Sequence, residues 1–307
     1  PEFGAIGAFG ANMGISDLET VMFASDLCNR LGLDLSSAGA YIGWATELYQ
    51  RGIISEKEVG FPLEWGEPDS MITLIEDVAN RRRFGDTLAE GTFAKEKIGK
   101  GSEEYLMTMK NIPGGYEPAV KSFALGMAVS TRGCDHLRSR PGVDLFDLPQ
   151  DFINQLYGGY VSTDYKSYDG KGRMIWWHEL LYSVVDALGT CKFQTVFNSP
   201  NSPKWEEFCQ LLRLSMGWDD ITPQELLDIG ERIYTTERMF INKLGLTRKD
   251  DMLPPQYFEK ETSDGQARED YIDETRFQQM LDEYYEMHGW DEQGVPTAAT
   301  RQRLGIA

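Results

Sequence analysis

One pattern restricts the fold of this chain more than any other. A capping residue is followed three positions later by an acid, then by an apolar run at helical spacing, then by a glycine. Ser16 precedes Glu19, and Leu18, Val21, Met22, Ser25 and Cys28 lead to Gly32; Ser36 precedes Tyr41, Trp44, Ala45 and Leu48, ending at Gly52. Ser55 with Glu58, Thr87 with Glu90, and Thr222-Pro223 with Glu225 repeat the opening, and Asp69 opens a run towards Gly85. Such side chains satisfy the orphan N–H groups of a first helical turn, and glycine closes the last turn in the left-handed conformation. The β-branched alternation of half-buried strands is nearly absent. The pattern predicts an all-α fold with a few short strands at most.

The 307 residues suffice for one large domain or two ordinary ones, and a net charge of −19 opposes binding to nucleic acid or to anionic membrane surfaces. The densest basic run, Arg81-Arg82-Arg83, reads as a solvated helix end. Four scattered cysteines, Cys28, Cys134, Cys191 and Cys209, form no C-x-x-C pair and suit a reducing cytoplasm. No apolar stretch reaches the length of about 18 residues that would suggest a membrane span, and no signal peptide is visible. The opening Pro1-Glu2-Phe3-Gly4 reads as the middle of a longer protein.

Two stretches have loop composition. Residues 111–118, with Pro113-Gly114-Gly115, mark a boundary between a helical domain at 1–114 and another at 115–307. Tyr157 to Arg173 reads as a surface insertion or a lid.

The chemistry-bearing candidates begin with two matched turns. Asn29-Arg30-Leu31-Gly32-Leu33-Asp34 ends one helix, and Asp186-Ala187-Leu188-Gly189-Thr190-Cys191 repeats the shape: a polar residue, two others, glycine, one residue, then an acid or a thiol. Backbone N–H groups and a carboxylate at such a turn can bond the ring nitrogens and amides of a polar heterocycle such as a pterin. Thr131-Arg132-Gly133-Cys134-Asp135-His136-Leu137-Arg138, Arg248-Lys249-Asp250-Asp251-Met252-Leu253-Pro254-Pro255 and Gly289-Trp290-Asp291-Glu292-Gln293-Gly294-Val295-Pro296-Thr297 complete the set.

Together these segments resemble, in order and over nearly the whole chain, the C-terminal part of the aldehyde ferredoxin oxidoreductase family of tungsten-pterin enzymes. The resemblance implies two helical domains like the family's domains 2 and 3, and a parent enzyme of anaerobic metabolism that oxidises aldehydes to carboxylic acids. It implies a tungsten (or molybdenum) bis-molybdopterin, and electrons passed through a [4Fe-4S] cluster to ferredoxin or an electron-transfer subunit. Asn29, Gly32, Leu33 and Asp34 would contact one pterin, with Asn29 replacing the family's usual Asp; Asp186, Gly189 and Thr190 would contact the other. Cys191 would be a cluster ligand, and Arg138 would face a pterin or its phosphate. His136 falls where the family keeps a histidine beside the metal, suited to moving a proton near neutral pH. The three positions Asp34, Cys191 and His136 should then address one cofactor cavity. Without the resemblance, Cys191 reads as an inert thiol and His136, like His178 and His288, as an ordinary histidine.

The chain also departs from the family. The cluster's other three thiolates lie upstream of the matched region in family members, so an N-terminal domain or subunit of the same enzyme is an expected partner, and a homodimer is compatible with the pattern. Gly4 stands where the family's P-E-Y-E-T run places a second glutamate, a general base, and loss of that base argues for different chemistry. One branch, the catalytic subunit of class II benzoyl-CoA reductases, instead reduces an aromatic ring on a CoA thioester. A metal-free helical scaffold is the third reading for the isolated chain.

Overall fold

The computed structural model describes residues 3–114, 120–258 and 271–306. The all-α expectation holds: among the described residues the strands are Thr108–Met109 and Ile112–Pro113, a minimal antiparallel pair turned by Lys110 and Asn111, both at positive φ. The chain divides into two compact units, Pro1–Gly115 and Tyr116–Ala307. The proposed loop at residues 111–118 falls partly on residues 115–119, outside the described ones.

In the first unit the Leu18–Leu31, Leu35–Gln50 and Pro68–Asn80 helices pack around Val21, Ala24, Cys28, Ile42, Leu48, Met71 and Leu74. Several caps differ from the sequence reading. Asp17, not Ser16, caps the first helix, accepting the Thr20 N–H at 2.9 Å, and Asp34, not Ser36, caps the second through the Ser37 N–H at 2.7 Å. Where Ser and Asp compete, the charged acceptor takes the N-terminus and its partial positive charge. Pro68 rather than Asp69 opens the third helix, which stops at Asn80 because Arg81 turns left-handed; a separate Arg83–Leu88 helix follows. Thr87 lies inside that helix and opens nothing, whereas the Ser55 and Thr222 capping boxes form as read. Two of the three arginines of the run are paired, Arg81 with Asp86 and Glu90 and Arg83 with the buried Asp77.

The second unit is organised by the Lys171–Ala187 helix, which is covered by Lys121–Val129, Pro223–Lys243 and Glu274–His288. Enclosure on all sides removes the amphipathic stripe that normally marks a helix in sequence. Its polar residues are therefore buried and must be satisfied in place. Lys171 Nζ donates to Asp144 at 2.6 Å and to the Ser162 carbonyl at 2.9 Å, while Ser122 donates to the other Asp144 oxygen at 2.6 Å. The Tyr157 to Arg173 stretch is held rather than lid-like. Gln150–Tyr157 is helical, Val161 is buried, and the Lys121 N–H bonds the Tyr165 carbonyl at 3.1 Å.

The Arg248–Pro255 and Gly289–Thr297 blocks are structural. Arg238, buried, pairs with Asp251 and donates from Nε to the Gly294 carbonyl at 2.7 Å; Tyr285 donates to Asp251 at 2.6 Å. Trp290 stacks on His288 with ring centroids 4.1 Å apart.

The Lys171–Ala187 and Pro223–Lys243 helices cross where Gly230 meets Leu180: a Cβ on Gly230 would lie 2.3 Å from the Leu180 carbonyl oxygen. Gly230→Ala should therefore cost about 1–3 kcal/mol by forcing the helices apart. In a domain of this size that lowers Tm by roughly 2–4 °C per kcal/mol, measurable by calorimetry. An unchanged Tm would mean the crossing is looser than described.

Candidate functional site

The central helix of the second unit delivers one of the two matched turns. Gly189 has φ 67°, its N–H bonds the Asp186 carbonyl at 3.1 Å, and the Thr190 N–H bonds the Val185 carbonyl at 3.1 Å. In the first unit Gly32 has φ 73°, its N–H on the Asn29 carbonyl at 3.4 Å and the Leu33 N–H on the Cys28 carbonyl at 2.9 Å. The sequence match is thus a geometric one, a glycine-closed helix end in both cases. Nothing lies within 4 Å of a Cβ built on either glycine, so another group can approach both backbones. Gly52 closes its helix identically, which means the backbone alone does not confer a function; the side chains must.

Those side chains differ. Asn29 is exposed, and Asp34 spends Oδ2 on its capping bond to Ser37. Asp186 caps nothing; its Oδ2 accepts from Lys192 Nζ at 2.8 Å and from Arg138 at 3.3 Å. Cys191 is exposed at the end of the turn.

The Arg138 contact joins the turn to the segment carrying His136. Asp135 accepts the Leu137 N–H at 2.8 Å and starts a single 3-10 turn, His136–Arg138. The Arg140 N–H returns to the His136 carbonyl at 2.8 Å, and Tyr182 of the central helix donates to the Arg140 carbonyl at 2.8 Å. Arg138 is buried, ion-paired to Asp186 and Glu237, with its guanidinium 5.6 Å from the Tyr234 ring centre. Its Nε, like that of Arg140, is buried without a hydrogen-bond partner among the described residues. Two such donors near an exposed turn suit an anionic ligand group.

His136 is half-buried. Burial pushes its pKa below the ordinary histidine range; Asp135 opposes this and Arg140 reinforces it. At neutral pH it is a neutral imidazole able to accept a proton. His178 and His288 are fully buried and serve the core. Tyr182 donates its hydroxyl to the Arg140 carbonyl, so it can only accept from His178 Nδ1 at 3.0 Å, leaving Nε2 to accept from Tyr157 at 2.9 Å. That assignment fixes a neutral tautomer, in keeping with a pKa pushed down to about 3 by burial.

Sequence reasoning did not find Glu179, Tyr234 or Glu237. Glu179, buried in the central helix, accepts from Tyr234 at 2.7 Å and Tyr284 at 2.8 Å and lies 3.2 Å from His288 Nε2. Burial raises its pKa to about 8 despite those bonds. Tyr234 thus anchors on Glu179 at one end and supports Arg138 on its ring. No sequence signal marked these residues, because their partners lie 55 and 99 positions away.

The cysteines do not make a metal centre by themselves. Cys28 and Cys209 are buried, with the Cys28 thiol pushed up to about 11 by burial, and Cys134 is half-buried beside Met127. No cluster of three or more potential metal-ligating side chains occurs among the described residues. One exposed thiol, Cys191, fits the role of a single ligand, whereas an all-cysteine [4Fe-4S] site needs four. The open turns and the orphaned arginine donors, by contrast, fit a polar heterocycle carrying an anionic group.

A helical architecture with a glycine-closed open turn in each unit, and in the second unit a histidine-bearing segment ion-paired to that turn, is the class that fold and site define. The chain belongs to the aldehyde ferredoxin oxidoreductase family: residues 1–306 match the family model described as "Aldehyde ferredoxin oxidoreductase, domains 2 & 3". It is 32% identical over 312 residues to the tungsten-containing aldehyde ferredoxin oxidoreductase of Pyrococcus furiosus, covering 100% of this chain and 48% of that protein. The same enzyme of Thermococcus kodakarensis is 31% identical over the same share of each chain. The aliphatic sulfonate oxidoreductase, WOR-like subunit, of Pyrococcus furiosus is 29% identical, covering 100% of this chain and 46% of that one. The chain thus spans about half the length of these relatives. In fold it is similar to the solved active site complex BamBC of benzoyl coenzyme A reductase in complex with 1,5-dienoyl-CoA. The TM-score is 0.77 at 21% identity, over 99% of this chain and 48% of that one.

The buried carboxyl gives a pH test. Glu179 titrates near 4.5 when unfolded and about 8 when folded, so the folded state keeps a proton that the unfolded chain releases. Stability from this group is complete below pH 4.5 and is lost as pH rises towards 8. The Tm of the wild-type protein should fall across that window more steeply than that of Glu179→Gln, which is neutral throughout. Parallel Tm profiles would show that Glu179 is ionised in the fold.

Proposed function

We propose that this chain is the helical, cofactor-contacting portion of a tungsten bis-pterin oxidoreductase, with molybdenum as the alternative metal, that oxidises an aldehyde to a carboxylic acid in a reducing cytoplasm. The observation that carries this reading is the Arg138–Asp186 ion pair, which sets the His136 segment directly against one of the two motif turns. Family membership and the tungsten-containing relatives support it.

When bound, the metal and its pterins supply the two-electron redox chemistry. The chain's own residues bind and manage protons. Asp186 presents a half-exposed carboxylate to ring N–H donors, with the open Gly189 backbone beside it and Thr190 next in the turn. Asn29, Gly32, Leu33 and Asp34 offer the corresponding surface for the other pterin. Arg138 and Arg140, whose buried Nε donors lack a partner among the described residues, would serve an anionic group such as a phosphate. Cys191, exposed at the end of its turn, would supply one ligand to a [4Fe-4S] cluster completed from elsewhere in the enzyme, a group whose chemistry is electron transfer to ferredoxin or an electron-transfer subunit.

For aldehyde oxidation, His136 is the residue that would assist water attack. Gly4 carries no carboxylate where the family resemblance expects one, and His136, held neutral, can take a proton from water as it adds to the carbonyl. Reduction of an aromatic CoA thioester would require the opposite role, proton donation, which burial of the imidazole disfavours.

Anaerobically purified full-length protein should contain tungsten or molybdenum together with iron and should reduce a redox dye with a simple aldehyde. His136→Gln should retain the metals while kcat falls about 10²–10⁴-fold, the range for a lost general base. Asp186→Ala should lose pterin. Protein free of tungsten and molybdenum would leave the metal-free scaffold; a loaded enzyme inert to aldehydes but active on an aromatic CoA thioester would favour ring reduction.

A further inference from the structure

Glu237 has no place in the motifs, yet it touches both ends of the segment that carries His136. From the Pro223–Lys243 helix its Oε2 accepts the Thr131 hydroxyl at 2.8 Å and the Arg138 guanidinium. Between those two anchors the segment has little regular structure: only His136–Arg138 makes a 3-10 turn, and Arg132 is exposed and paired locally with Asp135. Asp135 Oδ1 reaches only as far as the Leu137 N–H. With so little regular structure, the position of such a segment depends on its distant anchors, the Arg138 pairs and the bond from Tyr182 to the Arg140 carbonyl among them.

We propose that Glu237 is the positioning residue of the His136 segment, bridging Thr131 and Arg138 so that the imidazole and the Asp186 turn are presented together. A carboxylate is needed here for a second reason. Arg138 is buried, and a buried guanidinium left without a counter-charge is strongly destabilising. If Asp186 turns its carboxylate to a ligand, Glu237 still pairs the arginine, so engaging the ligand does not strand the charge. Tyr234, beneath the guanidinium and bonded to Glu179, limits the direction in which Arg138 can follow. Assigning His136 and Asp186 their ligand rests on the function proposed above; the bridge itself does not.

The test needs no cofactor. The chain has three histidines, and the buried His178 and His288 serve as internal controls for the fold in an imidazole NMR spectrum. Glu237→Ala should displace the His136 ring resonances and leave those of His178 and His288 in place. It should also speed amide exchange across residues 132–138 by about tenfold or more, as loss of a bond to a charged group implies. Glu237→Gln, which keeps the acceptor oxygen, should recover the His136 resonances in part. Thr131→Val should reproduce part of the alanine effect, and Thr131→Ser, which keeps the hydroxyl, should restore the wild-type spectrum. His136 resonances and exchange unchanged in Glu237→Ala overturn the proposal; should that variant not fold, equality of Thr131→Val with Thr131→Ser overturns it. Displaced resonances in a full-length variant that oxidises aldehydes at the wild-type rate would uphold the bridge and sink the proposed role of His136 instead.

Discussion

Arg138 is taken almost wholly out of water, and a guanidinium in that position requires carboxylates that do not leave it. It has two, from different elements: Asp186 at the end of the central helix and Glu237 on the helix packed beside it. The pairing converts three separate stretches of sequence into one structure, because the 131–140 segment, the 186–191 turn and the Pro223–Lys243 helix cannot shift independently without breaking it. Lys192 adds a second cation on Asp186, itself over the Tyr182 ring at 5.8 Å. The exposed turn is thereby held from its protein side while its outer face stays open.

The same logic runs deeper into the second unit. A helix enclosed on all sides would ordinarily be apolar, but Lys171–Ala187 carries a lysine, a histidine and a glutamate into the interior. Each is answered by its own set of partners: Asp144 for Lys171, two tyrosines for His178, two tyrosines and His288 for Glu179. Leaving any one of them unpaired costs more than the bond returns, so the set specifies one arrangement of the surrounding helices. Through Tyr234, the Glu179 set also reaches Arg138, which is how the core bears on the site.

Legibility from sequence followed the reach of the interactions. The helical class and the two turns were readable because caps, glycine stops and the Asn29–Asp34 and Asp186–Cys191 motifs are local, and local chemistry is written in adjacent residues. Cap positions slipped by one or two residues at Asp17 and Asp34 because neighbouring side chains compete for the same N–H groups. The central helix was hidden by its own burial, since polar residues inside it erase the periodicity that reveals a surface helix. Glu237 was invisible for a different reason: one carboxylate among many on an amphipathic helix acquires meaning only from Thr131 and Arg138, 106 and 99 positions away.

Protonation separates the chemistries open to such a site. An imidazole lowered by burial is a base at neutral pH, and the nearby cation Arg140 deepens that tendency while Asp135 moderates it. Adding water to a carbonyl consumes a base; protonating a ring consumes an acid. On the function proposed above, with glycine at position 4, the half-buried His136 is the residue that would act as base in the first reaction. For the second reaction the same ring would have to hold a proton, which Asp135 favours and which burial and Arg140 oppose.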